Sequence, residues 1–561
     1  GYTYEYRGPG RCMSAVMSED GNVIVGVHVC GTGNNGMCIS LTREMMRDVC
    51  AQIDPSAALP ATAAVVRADS TRTPIMELYG EAELIGKTRP GLEMRYPART
   101  QIKPSPMVGV LREPVRFPAA LRKSGEKAVG YGPIAIGASK QLVAPKPFPR
   151  SLVDIAVADI TNMCISKAIP AGEVVKSQRS TQEAIFGVEG KPFCESIRMN
   201  TSPGYPFCCV YKGDKHNLFE KFDHVTKEFT LKKDVIEMYE LEHKERLSGR
   251  VPECVYADFP KDERLAPGKD TRLINGQSFT ELLEFRKYCM DFMSAFTSAN
   301  LDCEHAIGMN VFGNGFDKIA SKLGEVSKNK ILTGDYSRFG PTLQAECVAR
   351  IPDVVNAWYD YHAAGKDQSQ DNQVRKLLYS NLCNCVHVAG DLLYRTQCGS
   401  PSGNCYTVQN NTLVNLMYLR VCWLVVFQGT SMASMSAFHR YFRPVCLGDD
   451  FVGSIDASVC ESFNNVTMSE CFVKFGIKFT DAVKSGQMRP YCHLEEASFL
   501  KSTFARAPDD RDCYVAQMDK TVIEDIINWQ RFKERDNEYL KDVCDMVLRF
   551  AFLHGESYFN T

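Results

Sequence analysis

Residues 1–50 alternate apolar and polar positions in short runs separated by glycines, a pattern that predicts β structure. The alternation stops at IDPSAALPATAAVVRADSTRTP, residues 53–74, whose Ala, Pro and small polar residues read as a linker. From about 75 to 150 prolines recur in KPSP, REPVRFP and APKPFP, which argues against long helices there. Beyond 150, helical and strand periods mix. Ile331–Thr333 reads as a strand that delivers Asp335 at its end. Pro341 suits the first turn of a following helix, along which Leu343, Val348, Ile351 and Val355 recur near helical spacing. The most apolar window, LVNLMYLRVCWLVVF from Leu413, is interrupted by Asn415 and Arg420. It is too short and too polar to cross a bilayer and reads as a buried helix. The last periodic stretch, VIEDIINWQRFKERDNEYLKDVCDMVLRFAFLHG, is amphipathic helix with a break near Asp536. There is no internal repeat and no low-complexity tract.

Composition narrows this picture only a little. At 561 residues the chain exceeds an average domain, so two or more units are expected. A net charge of −2 means that any nucleic-acid partner must be held by local patches. One such patch lies between Lys87 and Lys127, with ten Lys or Arg against three Glu among prolines. It reads equally as a solvated loop or as a strand-guiding basic segment. None of the 23 cysteines is spaced C-x-x-C, so zinc-ligand spacing is absent. No secretory signal opens the chain, and buried thiols in a reducing cytosol fit best. The Asn-x-Thr sequons at Asn410 and Asn465 then carry no weight. The start GYTYEYRGPG lacks methionine, which suggests a processed or cut chain.

Candidate chemistry starts at VCLGDDFVGSID, residues 445–456. A Gly-Asp tip between apolar runs is a good hairpin turn, and by itself that is the commoner reading. Yet Asp449 and Asp450 repel each other unless a cation or solvent intervenes. The strand-end Asp335 lies more than a hundred residues upstream. Two-metal phosphoryl transfer needs carboxylates from separate elements to hold two divalent ions about 3.5–4 Å apart. One ion activates a 3′-hydroxyl and the other neutralises leaving pyrophosphate. Mg²⁺ is the natural ion, with Mn²⁺ as a substitute. The segment KDERLAPGKDTRLI groups four cations, Lys261, Arg264, Lys269 and Arg272, round a Pro-Gly turn. It is either a charged surface hairpin or a triphosphate site. In GSPSGNCYTVQNN, Gly399, Ser402 and Gly403 make a flexible loop before a helix. Thr407 and Asn411, four apart, share one helix face, where a hydroxyl and an amide can read a ribose 2′-hydroxyl.

In order and spacing, GDYSRFG, GSPSGNCYTVQNN and LGDD resemble motifs A, B and C of viral RNA-dependent RNA polymerases. The likeness is to picornavirus-like positive-strand RNA viruses, especially of dicistrovirus or iflavirus type. It covers nearly the whole chain in seven motifs. The resemblance implies an α+β right-hand fold: N-terminal segment and fingers over 75–330, palm with a finger insertion over 331–506, thumb over 507–561. It implies metal ligation and catalysis by Asp335 and Asp449, with Asp450 assisting. Ser402, Gly403, Thr407 and Asn411 would bind the nucleotide and select its sugar. KDERLAPGKDTRLI resembles motif F, where Lys269 and Arg272 would meet the triphosphate, with Lys261 near the same channel and Arg264 less closely tied to it. TSPGYPF resembles motif G, with Thr201 and Ser202 at the template path. FGIKFTDAVKSG resembles motif D, where Lys484 would protonate the pyrophosphate. ASFLKSTF resembles motif E, where Lys501 would meet the primer backbone. The family's thumb runs a few dozen residues further. Two positions depart from the pattern: Gly340 replaces the usual second Asp of motif A, and Leu447 replaces the commoner tyrosine of motif C.

GPGRCMS and GVHVCGTGNNGM resemble the end of a chymotrypsin-like 3C cysteine protease over residues 1–52, an all-β fragment. Cys12 would be the nucleophile, Gly10–Cys12 the oxyanion hole, and His28 would line a glutamine pocket. Met13 replaces the usual glycine, and the barrel that carries the family's catalytic His and acid is absent. Gln52 is a candidate junction. Implied partners are RNA template and primer, nucleoside triphosphates, a small genome-linked protein primer and other viral replication proteins, with no direct membrane span. The implied place is host cytoplasm, at membrane-associated replication complexes. A cysteine endopeptidase fragment, a reverse transcriptase and a non-catalytic RNA-binding remnant are the alternatives. A reverse transcriptase blocks the 2′-hydroxyl with a bulky residue near the end of motif A, and Gly340 is the opposite of that.

Overall fold

The alternation of the front piece is realised as four antiparallel strands, Tyr2–Glu5, Asn35–Ser40, Ile24–Thr32 and Ala15–Met17 in spatial order. The structure, a computed structural model, describes the backbone of these strands. It also describes residues 83–122 and 132–560, except 98, 173, 364–366, 483–486, 509–511 and 532–536. The chain forms two compact units, Gly1–Thr62 and Ala63–Thr561. The expected linker lies outside the described residues.

The larger unit is built round an antiparallel sheet of Phe442–Leu447, Asp450–Ile455, Ile331–Tyr336 and Phe479–Thr480, in that order. Its central strands alternate between two cores. Leu332, Cys446 and Phe451 face the main core, with Trp358, Leu413 and Trp423. Ile331, Val445 and Val452 face a second core with Phe316, Phe499 and Phe504. With a core on each side, every residue of Ile331–Tyr336 and Asp450–Ile455 except Asp335 and Asp450 is buried. Over the main core lies the helix Thr407–Val426, the predicted buried helix. From Leu413 to Trp423 it has no accessible surface, apart from Tyr418 at 1%. Among the described residues no helix is long and apolar enough to cross a membrane.

A second, mixed sheet carries Leu273–Gly276, Val255–Pro260, Val386–Ala389, Leu392–Arg395 and Glu83–Lys87 in order. A third, of Ser498–Phe499, Ser502–Arg506 and Tyr514–Met518, packs against the second core. Ile102–Pro104 pairs with Trp529–Arg531, tying the proline-rich segment to the C-terminal region.

Two expectations change. The helix after Pro341 is a 3₁₀ turn, Gly340–Thr342, a short helix, Ala345–Val348, and a separate helix, Ile351–His362. Pro352 lacks the backbone donor that a continuous helix would need and sits in the first turn of the new helix, where none is required, so the period restarts there. The last amphipathic stretch holds the helix Lys520–Ile526, the strand Trp529–Arg531 and the helix Asn537–Phe552. Pairing with Ile102–Pro104 overrides helical propensity between them.

An ionic cluster joins the helices Arg150–Lys167, Thr407–Val426 and Met435–Tyr441 to the sheet. Arg420, without accessible surface, donates to Asp159 at 2.7 Å and to Glu304 at 2.9 Å. His439 approaches Asp159 at 2.9 Å and Glu304 at 3.6 Å. The Glu304 carbonyl accepts from Cys446 N–H at 2.9 Å, so the cluster is anchored on the strand that leads to Asp449. Hydrogen bonds to Asp159 and Glu304 push the His439 imidazole up to about 9. A raised histidine stabilises the fold fully below its unfolded value of 6.5, and that stabilisation is lost as pH rises through about 9. Burial pushes Lys215 down to about 8, which acts in the opposite sense above that pH. The wild-type melting temperature should therefore be compared with that of His439→Gln between pH 6 and 10. The gap is expected to be widest at pH 6 and to close by pH 10; a constant gap would contradict the ion pair.

Candidate active site

The pairing of Ile331–Tyr336 with Asp450–Ile455 runs Ile331↔Ser454 to Gly334↔Phe451. One further rung sets Asp335 opposite Asp450, on the sheet face shared with Ile331 and Val452. Asp335 also pairs with Thr480 on its other side. The hairpin Phe442–Leu447/Asp450–Ile455 closes at Leu447↔Asp450, so Gly448 and Asp449 are its two-residue tip. Gly448 has φ 63°, and a glycine first in a two-residue turn is the II′ pattern. Asp449 is thereby exposed at the tip, while Asp450 is half-buried on the strand. Both predicted carboxylate groups thus stand at one end of two adjacent strands. The tip backbone is held by Thr412 and Asn415 of the helix behind it.

Facing them is the hairpin of Val255–Pro260 and Leu273–Gly276, extended by the bond from Lys261 N–H to the Arg272 carbonyl, 2.8 Å. Arg272 is fully forked onto Glu263, at 2.6 and 2.5 Å, and Lys261 reaches the same carboxylate at 3.4 Å. Glu263 raises the Arg272 guanidinium further above its ordinary value, and Asp449 adds to the rise, so Asp449 lies within electrostatic reach of that fork. Arg272, Lys261 and Arg264 line one cavity of about 610 Å³ together with Lys501, Arg116 and Arg531. Lys501 enters from the tip of a tight hairpin in which Leu500 and Lys501 both have positive φ, 53° and 61°. Arg264 is directed elsewhere, to the Asp525 carbonyl at 3.0 Å and its carboxylate at 3.7 Å. Lys269 is exposed at the turn and does not line the cavity.

The loop before the long helix docks on the same hairpin. Ser402 Oγ accepts from Asn275 N–H at 3.1 Å, and Ser402 N–H donates to Asn275 Oδ1 at 3.2 Å. A Cβ on Gly403 would stand 2.1 Å from the Asn275 carbonyl oxygen, so only glycine permits this approach. Asn275 donates in turn to the buried Asp258 at 2.6 Å, which also holds His387 at 2.9 Å and Tyr394 at 2.5 Å. Thr407 donates to the Asn404 carbonyl at 2.7 Å and so braces the loop. Asn411 Oδ1 is buried without a hydrogen-bond partner. Opposite it, the side of Gly340 is open; the nearest atom to an added Cβ is Asn411 Nδ2 at 3.9 Å.

Thr201 and Ser202 are exposed beside the buried Lys215, which donates to Thr201 Oγ1 and, at 2.9 Å, to the Ser202 carbonyl. Cys12, its neighbours from Gly10, and Lys484 lie outside the described residues. His28 lies on the strand Ile24–Thr32. Among the described residues no group of three or more His, Cys, Asp or Glu forms a metal cage. The strand-end aspartates suit Mg²⁺, which is bound through one or two carboxylates together with substrate phosphates. Sequence reasoning missed Glu263, Asn275, Asp258, Thr412 and Asn415. The only sequence signal was a polar residue inside an apolar run, as at Asn415.

A carboxylate-bearing central sheet, a cavity lined by the cation hairpin that extends a second sheet, and a flanking hairpin sheet are the parts of a right-hand polymerase. The family model described as viral RNA-dependent RNA polymerase matches residues 153–561. The genome polyprotein of Ectropis obliqua picorna-like virus is 30% identical over 98% of this chain and 18% of its own length. That of Deformed wing virus is 26% identical over 100% and 20%. The replicase polyprotein of Cricket paralysis virus is 26% identical over 99% and 33%. The chain therefore spans about a fifth to a third of these relatives. The solved Sicinivirus 3Dpol RNA dependent RNA polymerase superposes with a TM-score of 0.66 at 18% identity, covering 85% of this chain and 92% of that one. This chain belongs to the viral RNA-dependent RNA polymerase family.

The two arginines of the cation hairpin should separate in experiment. Arg272→Gln is expected to weaken nucleoside triphosphate binding about tenfold or more, roughly 1.4 kcal/mol, with little change in melting temperature. Arg264→Gln should lower the melting temperature by roughly 1–3 °C and leave triphosphate binding within about twofold. Fluorescence titration and thermal melting read both; the reverse pattern would contradict the assignment.

Proposed function

We propose that this chain synthesises RNA on an RNA template from ribonucleoside triphosphates, as part of a viral polyprotein. The observation that carries the proposal is the placement of Asp335 and Asp449 at one strand end, facing the Arg272 fork. Mg²⁺, or Mn²⁺ in its place, would be held by Asp335 and Asp449 with Asp450 assisting. When bound it neutralises phosphate charge and eases deprotonation of a primer 3′-hydroxyl. Arg272 and Lys261 take the triphosphate by exchanging Glu263 for phosphate oxygens, which accept the same fork. Lys269 meets the triphosphate from the outer side of the turn only after it enters. Ser402, on its Asn275 mount, and Asn411 orient the sugar; Gly403 and Thr407 keep the loop in place. Lys484 serves as the acid toward pyrophosphate.

Template follows Thr201 and Ser202, and the primer strand follows Lys501. A small genome-linked protein as primer, other replication proteins, and membrane-associated complexes in the host cytoplasm belong to the same proposal. The front piece, with Cys12 and His28, is proposed to be the end of the preceding protease. Peptide cleavage that survives Asp449→Ala but not Cys12→Ala would favour a working endopeptidase there.

Primer extension with Mg²⁺ tests the central reading. Asp335→Ala and Asp449→Ala are each expected to abolish extension while RNA binding persists; retained synthesis would refute the metal role. Strong preference for deoxynucleotides in the wild type would favour a reverse transcriptase. Gly340→Asp should fit without a clash and place a carboxylate beside the Asn411 amide. Its expected effect is a ribo-to-deoxynucleotide preference raised about tenfold, the size of one added hydrogen bond to a charged group.

A further inference from the structure

Besides Asn410 and the ion-paired Arg420, the helix Thr407–Val426 carries two polar residues, Thr412 and Asn415, where its burial calls for apolar ones. Thr412 and Asn415 have no accessible surface, and Leu413, Val414, Leu416 and Met417 around them have none either. Both side chains are spent on the carboxylate hairpin. Thr412 Oγ1 accepts from Gly448 N–H at 2.8 Å and donates to the Val408 carbonyl at 2.7 Å. Asn415 Nδ2 donates to the Gly448 carbonyl at 3.0 Å and to the Asp449 carbonyl at 3.3 Å. Three backbone groups of a two-residue tip are therefore fixed by side chains of one helix. The Asn415 amide oxygen is left buried without a partner. An unpartnered buried acceptor costs about 1–3 kcal/mol, more than satisfying a turn carbonyl near solvent would return. Satisfying the turn is therefore a poor reason for this asparagine.

Position supplies a better one. Asn415 is one helical turn beyond Asn411, on the same face. Asn411 faces Gly340, five residues after Asp335. One rigid helix thus touches the strand-end loop of the first carboxylate at Asn411 and the tip that bears the second at Asn415. We propose that Thr412 and Asn415 are positioning residues that set the distance between the Asp449 carboxylate and the sugar-reading Asn411. This rests on the function proposed above. Loss of the clamp leaves the Asp449 carboxylate in place chemically but able to stray, and a displacement of about 1 Å at a reacting centre can cost about a hundredfold in rate.

The test uses the full chain in primer extension, with hydrogen exchange of the peptide spanning 445–452. Asn415→Leu and Thr412→Val are expected to lower kcat at least tenfold while the KM for nucleotide and RNA affinity stay within about twofold. Hairpin exchange should quicken in both, and Thr412→Ser, which keeps the hydroxyl, should restore rate and protection. The proposal is overturned if the two variants keep kcat within twofold, or if KM rises in step with the loss. If Asn415→Leu does not fold, the Thr412→Val and Thr412→Ser pair decides by the same criteria. Extension by Asp449→Ala would instead sink the function on which the clamp depends; loss in Asp449→Ala with none in the clamp variants sinks the clamp alone.

Discussion

Everything at the site hangs on one strand pairing, that of Ile331–Tyr336 with Asp450–Ile455. Side chains alternate along a strand, so a slip of one residue would turn Asp335 into the main core and Leu332 out of it. The two cores exclude that slip. Ile331 and Val452 are buried on one face, Leu332 and Phe451 on the other, and a slip by one residue would reverse both. The same pairing delivers Asp335 and Asp450 to one rung and leaves Asp449 on the turn beyond it. Hydrophobic burial thus places charges that would otherwise repel.

Those charges are balanced from the cation hairpin, whose Arg272 lies within electrostatic reach of Asp449. The cation hairpin does not offer bare guanidinium and ammonium groups. Glu263 occupies the Arg272 fork and draws Lys261. A bidentate arginine–carboxylate pair has the geometry of an arginine–phosphate pair, so the fork is preorganised in the shape that a triphosphate would take. Arg264 shows the converse. It lies in the same short basic run, but its guanidinium is tied to Asp525 and braces the hairpin against the C-terminal region.

Buried polar groups do the remaining placement. Asp258, Asn275 and Ser402 form a chain of hydrogen bonds from the second sheet to the loop of the long helix. Arg420, Asp159, Glu304 and His439 join that helix to the strand before the carboxylate tip. Such groups are costly to bury and are retained where a unique arrangement matters more than stability.

Local pattern carried much of this in one dimension. The strands round Asp335 and the Gly-Asp tip, the buried helix from Leu413 and the basic hairpin round Lys261–Arg272 are legible because period, turn chemistry and charge are local properties. The family resemblance added the order of the motifs. Where the sequence misled, a distant partner had overruled a local preference: Trp529–Arg531 became a strand because Ile102–Pro104 pairs with it. Arg264 keeps its place in the cation-lined cavity while its guanidinium bonds to Asp525. Glu263 and Asn275 had no signature and Asn415 showed only as a polar residue in an apolar run, since a carboxylate in a basic run or an amide in a helix has meaning only through what it touches. The sequence determined which residues could do the chemistry; contacts between segments far apart in the chain decided which of them meet.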